Sequence, residues 1–314
     1  MVQIESGAWV MGLRRCRKYA VALCGSLLML WVAAASAEVI EVVDARGKTI
    51  RLEQPAERII ALAPHLVENA YSAGAGGKLV AAVSYSDYPP DAKELPEVGT
   101  YKTVSLESVL ALKPDLVLAW SSGNGLNAAA QLERLGLTVY VDEPRTLDDI
   151  AREVSNIGRL AGTSKAAEKT ADAWLARLHN LQTSHLNVQP VSVFYQVWNQ
   201  PLQTLNGEHL VSDVIRLCGG RNAFADAVSL APKINVESVL GRDPDVIVAS
   251  GMGEERPEWL DEWKQYPALS AVANNHLFFV PPDIIQRHTF RILDGAELMC
   301  QMLDQVRQDT VADH

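Results

Sequence analysis

The chain contains no G-x-S-x-G element, no H-E-x-x-H, no phosphate-binding P-loop and no pair of C-x-x-C motifs. A nucleophile elbow, a helical zinc site, a nucleotide cradle and a thiol-based metal site each need those residue types at those spacings, so the common motif-bearing enzymes find no support. Bases are also scarce: 28 Lys and Arg face 38 Asp and Glu, a net charge of −10, which suits neither nucleic acid nor an anionic lipid surface. One long apolar run exists, from Tyr19 to Ala34, and it is short for a membrane-spanning helix. It follows the basic cluster Arg14-Arg15-Cys16-Arg17-Lys18 and precedes Ala35-Ser36-Ala37. That order predicts a secretory signal peptide over residues 1–37, cleaved after Ala37, with Met11 a second candidate start.

Cleavage leaves 24 bases against 37 acids, a net charge of −13, and removes Cys16 and Cys24. Cys24 follows Ala22-Leu23 where a lipidation site would want a small residue, so lipidation is not expected. The two cysteines that remain, Cys218 and Cys300, are an even number in an oxidising compartment and both fall in helical segments. A disulfide between them is expected; two separate buried thiols are the alternative.

Against these absences stands an internal near-copy. Residues 105–120, SLESVLALKPDLVLAW, recur at 235–250 as NVESVLGRDPDVIVAS, with Glu107/Glu237, Ser108/Ser238, Val109/Val239, Leu110/Leu240, Pro114/Pro244, Asp115/Asp245 and Ala119/Ala249 identical. Each copy reads as a cap residue (Ser105, Asn235), a short amphipathic helix, a Pro-Asp turn and an unbroken apolar run. Such runs suit strands covered on both faces, as in a parallel sheet. The expectation is an α/β protein of two similar, Rossmann-like lobes with mainly parallel sheets, and a cleft between them in which small ligands are held.

The flanking pattern extends this. Residues 38–53 read as a hairpin turning near Arg46-Gly47; 58–63, 79–85 and 137–142 read as strands; 64–73 and 126–135 read as helices closed by Gly74 and Gly136. From Leu147 to His185 no strand signal appears, while Ala167, Ala171, Trp174, Leu178 and Leu181 keep one helical face. We expect a short helix and then one long backbone α-helix from about Lys165 to Ser184, joining an N-terminal lobe (38–146) through a helical linker (147–188) to a C-terminal lobe (189–314). A continuous helix resists bending, so lobe motions should be small.

Several segments together resemble the helical-backbone (class III) substrate-binding proteins of ABC importers, and within them the cobalamin-binding branch. They are RIIALAPHLVENAYSAGAG (58–76), SYSDYPP (84–90), VSLESVLALKPDLVLAW (104–120), LERLGLTVYV (132–141), VIRLCGGRNAFAD (214–226), VESVLGRDPDVIV (236–248) and DIIQRHTFRI (283–292). The resemblance implies a periplasmic, monomeric, non-enzymatic protein without a resident cofactor. It would capture a corrinoid between the lobes and deliver it to an ABC permease dimer in the inner membrane. Tyr85, Tyr101 and Trp120 fall at or just beyond strand ends of the first lobe, where open α/β sheets bind ligands, and match aromatic cleft residues of that family. An apolar corrin disc fringed with amides suits aromatic stacking plus a few hydrogen bonds.

On the second lobe Leu202 and Ala231 stand where the family can have larger aromatics; Trp198 is a candidate replacement, though VFYQVW could be ordinary strand packing. Asp283 and Arg287 match polar ligand contacts, or else form a plain i, i+4 ion pair. Glu107 and Glu237 sit in first helical turns, where the dipole favours carboxylates in any case; the resemblance makes them one permease-docking acid per lobe. His65 with Glu68 reads as a cap and a surface acid, and His288 beside Arg287 is an equally weak signal. They keep open haem or another metallo-ligand, with His65 or Tyr85 as axial donor. The absence of a basic cluster around the expected cleft argues against a highly anionic siderophore. An exported enzyme on the same scaffold is the alternative of a different class.

Overall fold

The computed structural model describes residues 39–312 except Met252 and Glu254, so the expected signal peptide lies outside the described residues. A hairpin of β1 (Ile40–Val43) and β2 (Thr49–Leu52) pairs antiparallel with Ile40 opposite Leu52. Its turn uses Gly47 at φ +74°, a conformation that costs glycine nothing. Four strands follow in the first lobe: β3 (Ile59–Ala61), β4 (Leu79–Ala81), β5 (Leu116–Trp120) and β6 (Val139–Asp142), all parallel, in the order β4-β3-β5-β6. The second lobe has β7 (Val191–Gln196), β8 (Gly220–Asn222), β9 (Val246–Ala249) and β10 (Leu277–Phe279), also parallel, in the order β8-β7-β9-β10. Both sheets thus have the order second, first, third, fourth. The direction in which strands are added to the sheet reverses between the first and third strands in each, and ligands of open α/β sheets bind at the carboxyl ends of such a pair.

The first-lobe helices are α1 (Pro64–Ser72), α2 (Leu106–Ala111), the single turn α3 (Ser121–Asn124) and α4 (Leu126–Arg134). Two longer helices, α5 (Leu147–Leu160) and α6 (Ser164–Ser184), lead to the second lobe, whose helices are α7 (Leu210–Leu217), α8 (Val236–Arg242), α9 (Ser270–Ala273) and α10 (Ile292–Ala312). The repeat folds twice in the same way. Ser105 Oγ accepts the Ser108 N–H and Asn235 Oδ1 the Ser238 N–H, each capping a helix that buries one valine, Val109 or Val239. Each Pro-Asp turn then staples a neighbouring strand: Asp115 accepts the N–H groups of Glu57 and Arg58 before β3, and Asp245 accepts that of Ser192 in β7.

The long helix α6 is where the apolar spacing puts it, but α5 shares its bridging work. Leu147, Ile150 and Ala151 of α5, with Ala171, Trp174 and Leu178 of α6, pack in the second-lobe core beside Val193 and Tyr195. One turn further along α5, Val154, Ile157 and Leu160 join Ala167 in the first-lobe core beside Ile59 and Leu66. Gly158 permits this pairing, since a Cβ there would lie 2.3 Å from the Ala167 methyl. Cys218, at the end of α7, is disulfide-bonded to Cys300 of α10 inside the second-lobe core.

Candidate ligand-binding cleft

The strand ends of the first lobe are held in place by one side chain. Asn124 Oδ1 accepts the Trp120 N–H at 2.6 Å, while its amide nitrogen donates to the carbonyls of Leu62 at 2.9 Å and Tyr101 at 2.6 Å. It thereby ties the exits of β3 and β5 to the Tyr101 loop. Trp120 and Tyr101 lie with ring centres 6.0 Å apart, within the range of interacting aromatic pairs. Tyr85, beyond β4, is 77% exposed and has φ +66°; it borders a separate small depression with Ser86 and Asp87.

Trp120 is surrounded by histidines from both lobes. Its ring centre is 5.1 Å from His65 and 5.7 Å from His288, the two imidazoles are 5.3 Å apart, and His209 lies 6.1 Å from His288. His65 opens α1 directly after β3; His209 caps α7, its Nδ1 accepting the Val211 N–H. Trp120, Ser122, Glu143 and Arg145 face His209, Leu230, Ala231 and His288 across a cavity of about 210 Å³ between the lobes. That is below the roughly 300–1,000 Å³ of small-molecule pockets. A ligand larger than this cavity needs the lobes to part, a larger motion than the continuous helix α6 leads us to expect. The Trp120 indole nitrogen and His288 Nδ1 are buried here without a hydrogen-bond partner among the described residues.

Burial sets the charge state. Loss of hydration holds His65 and His209 down at about 4 and His288 well below the ordinary histidine value. The same cause raises Asp142 to about 7 and Glu153 to about 9. His65 Nε2 and Asp142 Oδ2 are 2.9 Å apart, yet burial disfavours both charged forms, so the contact is a hydrogen bond of largely neutral groups. Tyr140 donates to Glu153 behind it.

Two expectations change here. Glu68 is no surface acid: it is 3% exposed and accepts from Arg287 at 2.9 Å and from Arg291 at 2.9 Å, both in the second lobe. His65 is no helix cap, because the cap position is Ala63 and carries no side-chain bond. Arg287 also reaches Asp87 at 2.8 Å and Asp283 at 3.1 Å, so the i, i+4 pair exists but within a network that spans the lobes. Trp198 is half-buried, its indole donating to the Gln200 carbonyl of its own turn, and it does not line the interlobe cavity. Leu202 packs away into a second-lobe notch with Trp259, Trp263 and Tyr266. Glu107 and Glu237 are exposed in the first turns of α2 and α8. Sequence reasoning missed Asn124, His209 and the meeting of His65 with His288; only the position of His65 after a first-lobe strand signalled it.

Two parallel-sheet lobes joined by long helices, with a cavity between them that reaches the strand-order reversal of the first sheet at Trp120, define a two-lobed ligand-binding protein. The periplasmic binding protein family model matches residues 59–284, and the chain belongs to that family. It is 41% identical over 249 residues to the vitamin B12-binding protein of Vibrio cholerae, covering 79% of this chain and 90% of that protein. A vitamin B12-binding protein of Yersinia pestis is 35% identical over 261 residues, covering 83% and 91%. The crystal structure of the periplasmic vitamin B12 binding protein BtuF of Vibrio cholerae superposes with a TM-score of 0.75 at 40% identity, covering 81% of this chain and 98% of that one. The periplasmic heme-binding protein RhuT from Roseiflexus, at 21% identity and a TM-score of 0.71, covering 80% of this chain and 99% of that one, shares the fold.

Proposed function

We propose that the protein captures a corrinoid, cobalamin in the first place, between its lobes in the periplasm and hands it to an ABC importer. The observation that carries this reading is Trp120, set at the reversal point of the first sheet and facing the interlobe cavity with an unpartnered indole N–H. An indole face suits the apolar corrin and its N–H suits the amide fringe. The 41% identity to a vitamin B12-binding protein supports the same ligand. Tyr101 extends the platform on the first lobe, and Tyr85 is exposed for contact when the lobes part. On opening, Arg287 trades its interlobe ion pairs with Glu68 and Asp87, and Asp283 its pair with Arg287, for ligand amides, and Trp198 reaches the ligand only from the cleft rim. Glu107 and Glu237, equivalent by the repeat, dock one on each half of a two-fold permease. The leader is removed at Ala37, the mature protein is a monomer, and no reaction is catalysed.

Mass spectrometry of the protein purified from its native periplasm tests the reading: a co-purifying cobalt corrinoid is expected. Haem is the second reading, favoured by the three imidazoles in the cleft. Iron porphyrin in place of cobalt would move the assignment there.

A further inference from the structure

His288 differs from its two imidazole neighbours. Asp142 engages His65 and the Val211 N–H engages His209, whereas neither ring nitrogen of His288 makes a hydrogen bond among the described residues, although the side chain is 7% exposed and its Nδ1 is fully buried. Buried polar groups without partners are uncommon, and a bound water, ion or ligand is one of the explanations for such a group. Its backbone is fixed, since Asn69 Nδ2 donates to the His288 carbonyl at 3.0 Å. What faces the ring is His65 from α1, Trp120 from the end of β5 and His209 from the cap of α7, with Glu143 and Arg145 on the cavity wall. Glu143, the one acid in that lining, is engaged by Ser122 and by Arg145 and makes no hydrogen bond to the ring. Burial and the neighbouring imidazoles keep it uncharged, which is the form of imidazole that binds metals.

We propose that His288 is an axial ligand to the cobalt of the bound corrinoid. The inference rests on the corrinoid reading above and deepens it. Among the described residues no group of three or more His, Cys, Asp or Glu converges as a free metal ion would require. A corrinoid already supplies four equatorial nitrogens, so one imidazole at the cavity wall is enough. The step is a ligand exchange: a ring nitrogen lone pair forms the bond to Co(III), one axial water leaves, and no electron or proton is transferred. A corrinoid without its own lower base offers the open axial position and is the form this residue would favour.

The mature protein titrated with diaquocobinamide tests this by visible spectroscopy. The bound spectrum should shift to that of cobinamide carrying one imidazole; a bound spectrum unchanged from the diaquo form overturns the proposal. Dicyanocobinamide, whose axial positions are blocked, should bind at least about tenfold more weakly, and equal affinity counts against the bond. In His288→Ala the shift should vanish and return on adding free imidazole, while His65→Ala and His209→Ala keep it. Loss of the shift in His65→Ala alone would reassign the ligand and overturn the choice of His288. Should His288→Ala misfold, the wild-type protein still decides: reduced to Co(II), the bound cobinamide should show electron paramagnetic resonance lines split into three by one axial nitrogen, and into two after nitrogen-15 histidine labelling. Unsplit lines overturn the bond. Corrinoid binding without these signatures removes this inference alone; absence of any corrinoid binding removes the functional reading with it.

Discussion

Glu68 in α1 and Arg287, 219 residues later in the chain, meet at 2.9 Å across the two lobes. Arg291 completes the fork on the same carboxylate, 2.9 Å from it, and its guanidinium also lies 3.9 Å above the Tyr88 ring. Two arginines around an acid that is 3% exposed form a desolvated network, and removing one member leaves buried charge uncompensated.

Glu68→Gln should therefore destabilise the protein by about 3 kcal/mol, measured by urea unfolding. Asp87→Asn removes a half-exposed partner of Arg287 and should cost less than about 1 kcal/mol. Equal, small losses for both would show that the lobes are not held by Glu68.

Charge reversal at Glu107 and Glu237 together should abolish uptake of ligand by cells while leaving affinity for the ligand unchanged, because exposed rim charges govern association and orientation. Both side chains are solvent-exposed, so folding should be unaffected. Affinity falling in step with uptake would refute docking.

The Cys218–Cys300 bridge closes 82 residues. Loop entropy makes its loss worth roughly 4 kcal/mol. Reduced protein should unfold at correspondingly lower denaturant, and thiol labelling of unfolded, non-reduced mature protein should find no free cysteine.

Glu153, with its pKa raised to about 9 by burial, keeps its proton in the folded state where an unfolded glutamate has lost it. The folded state binds the extra proton between the ordinary glutamate value and 9, so stability falls as pH rises through that window. Asp142 acts in the same sense only up to about 7, and below about 6.5 the depressed histidines oppose both. From pH 7 to 9 Glu153 dominates. Thermal melts should show a decline there that Glu153→Gln flattens; an unchanged decline contradicts the buried, protonated carboxyl.

What could be read from the chain alone follows the range of the interactions. Caps at Ser105 and Asn235, the Pro-Asp turns and the apolar strands are set by residues within a few positions, so the repeat announced two parallel-sheet lobes. The α6 face was legible because Ala167, Ala171, Trp174 and Leu178 repeat at helical spacing. Glu68 was misread because its partners lie 219 and 223 residues away, and no local pattern marks an acid for burial. His65 and His288 each look ordinary in sequence; only the folding of both lobes onto Trp120 brings them together. Trp198 is an aromatic at a strand exit whose indole is engaged by its own turn, a local bond that the pattern VFYQVW does not reveal.

Titration calorimetry with cobalamin, cobinamide and haem, on the mature protein and on Trp120→Ala, tests corrinoid capture most directly. Tight binding of at least one corrinoid is predicted, with Trp120→Ala losing about 2 kcal/mol or more, as for an aromatic anchor in a desolvated pocket. Tight haem binding with no affinity for either corrinoid, or full corrinoid affinity without Trp120, would contradict it.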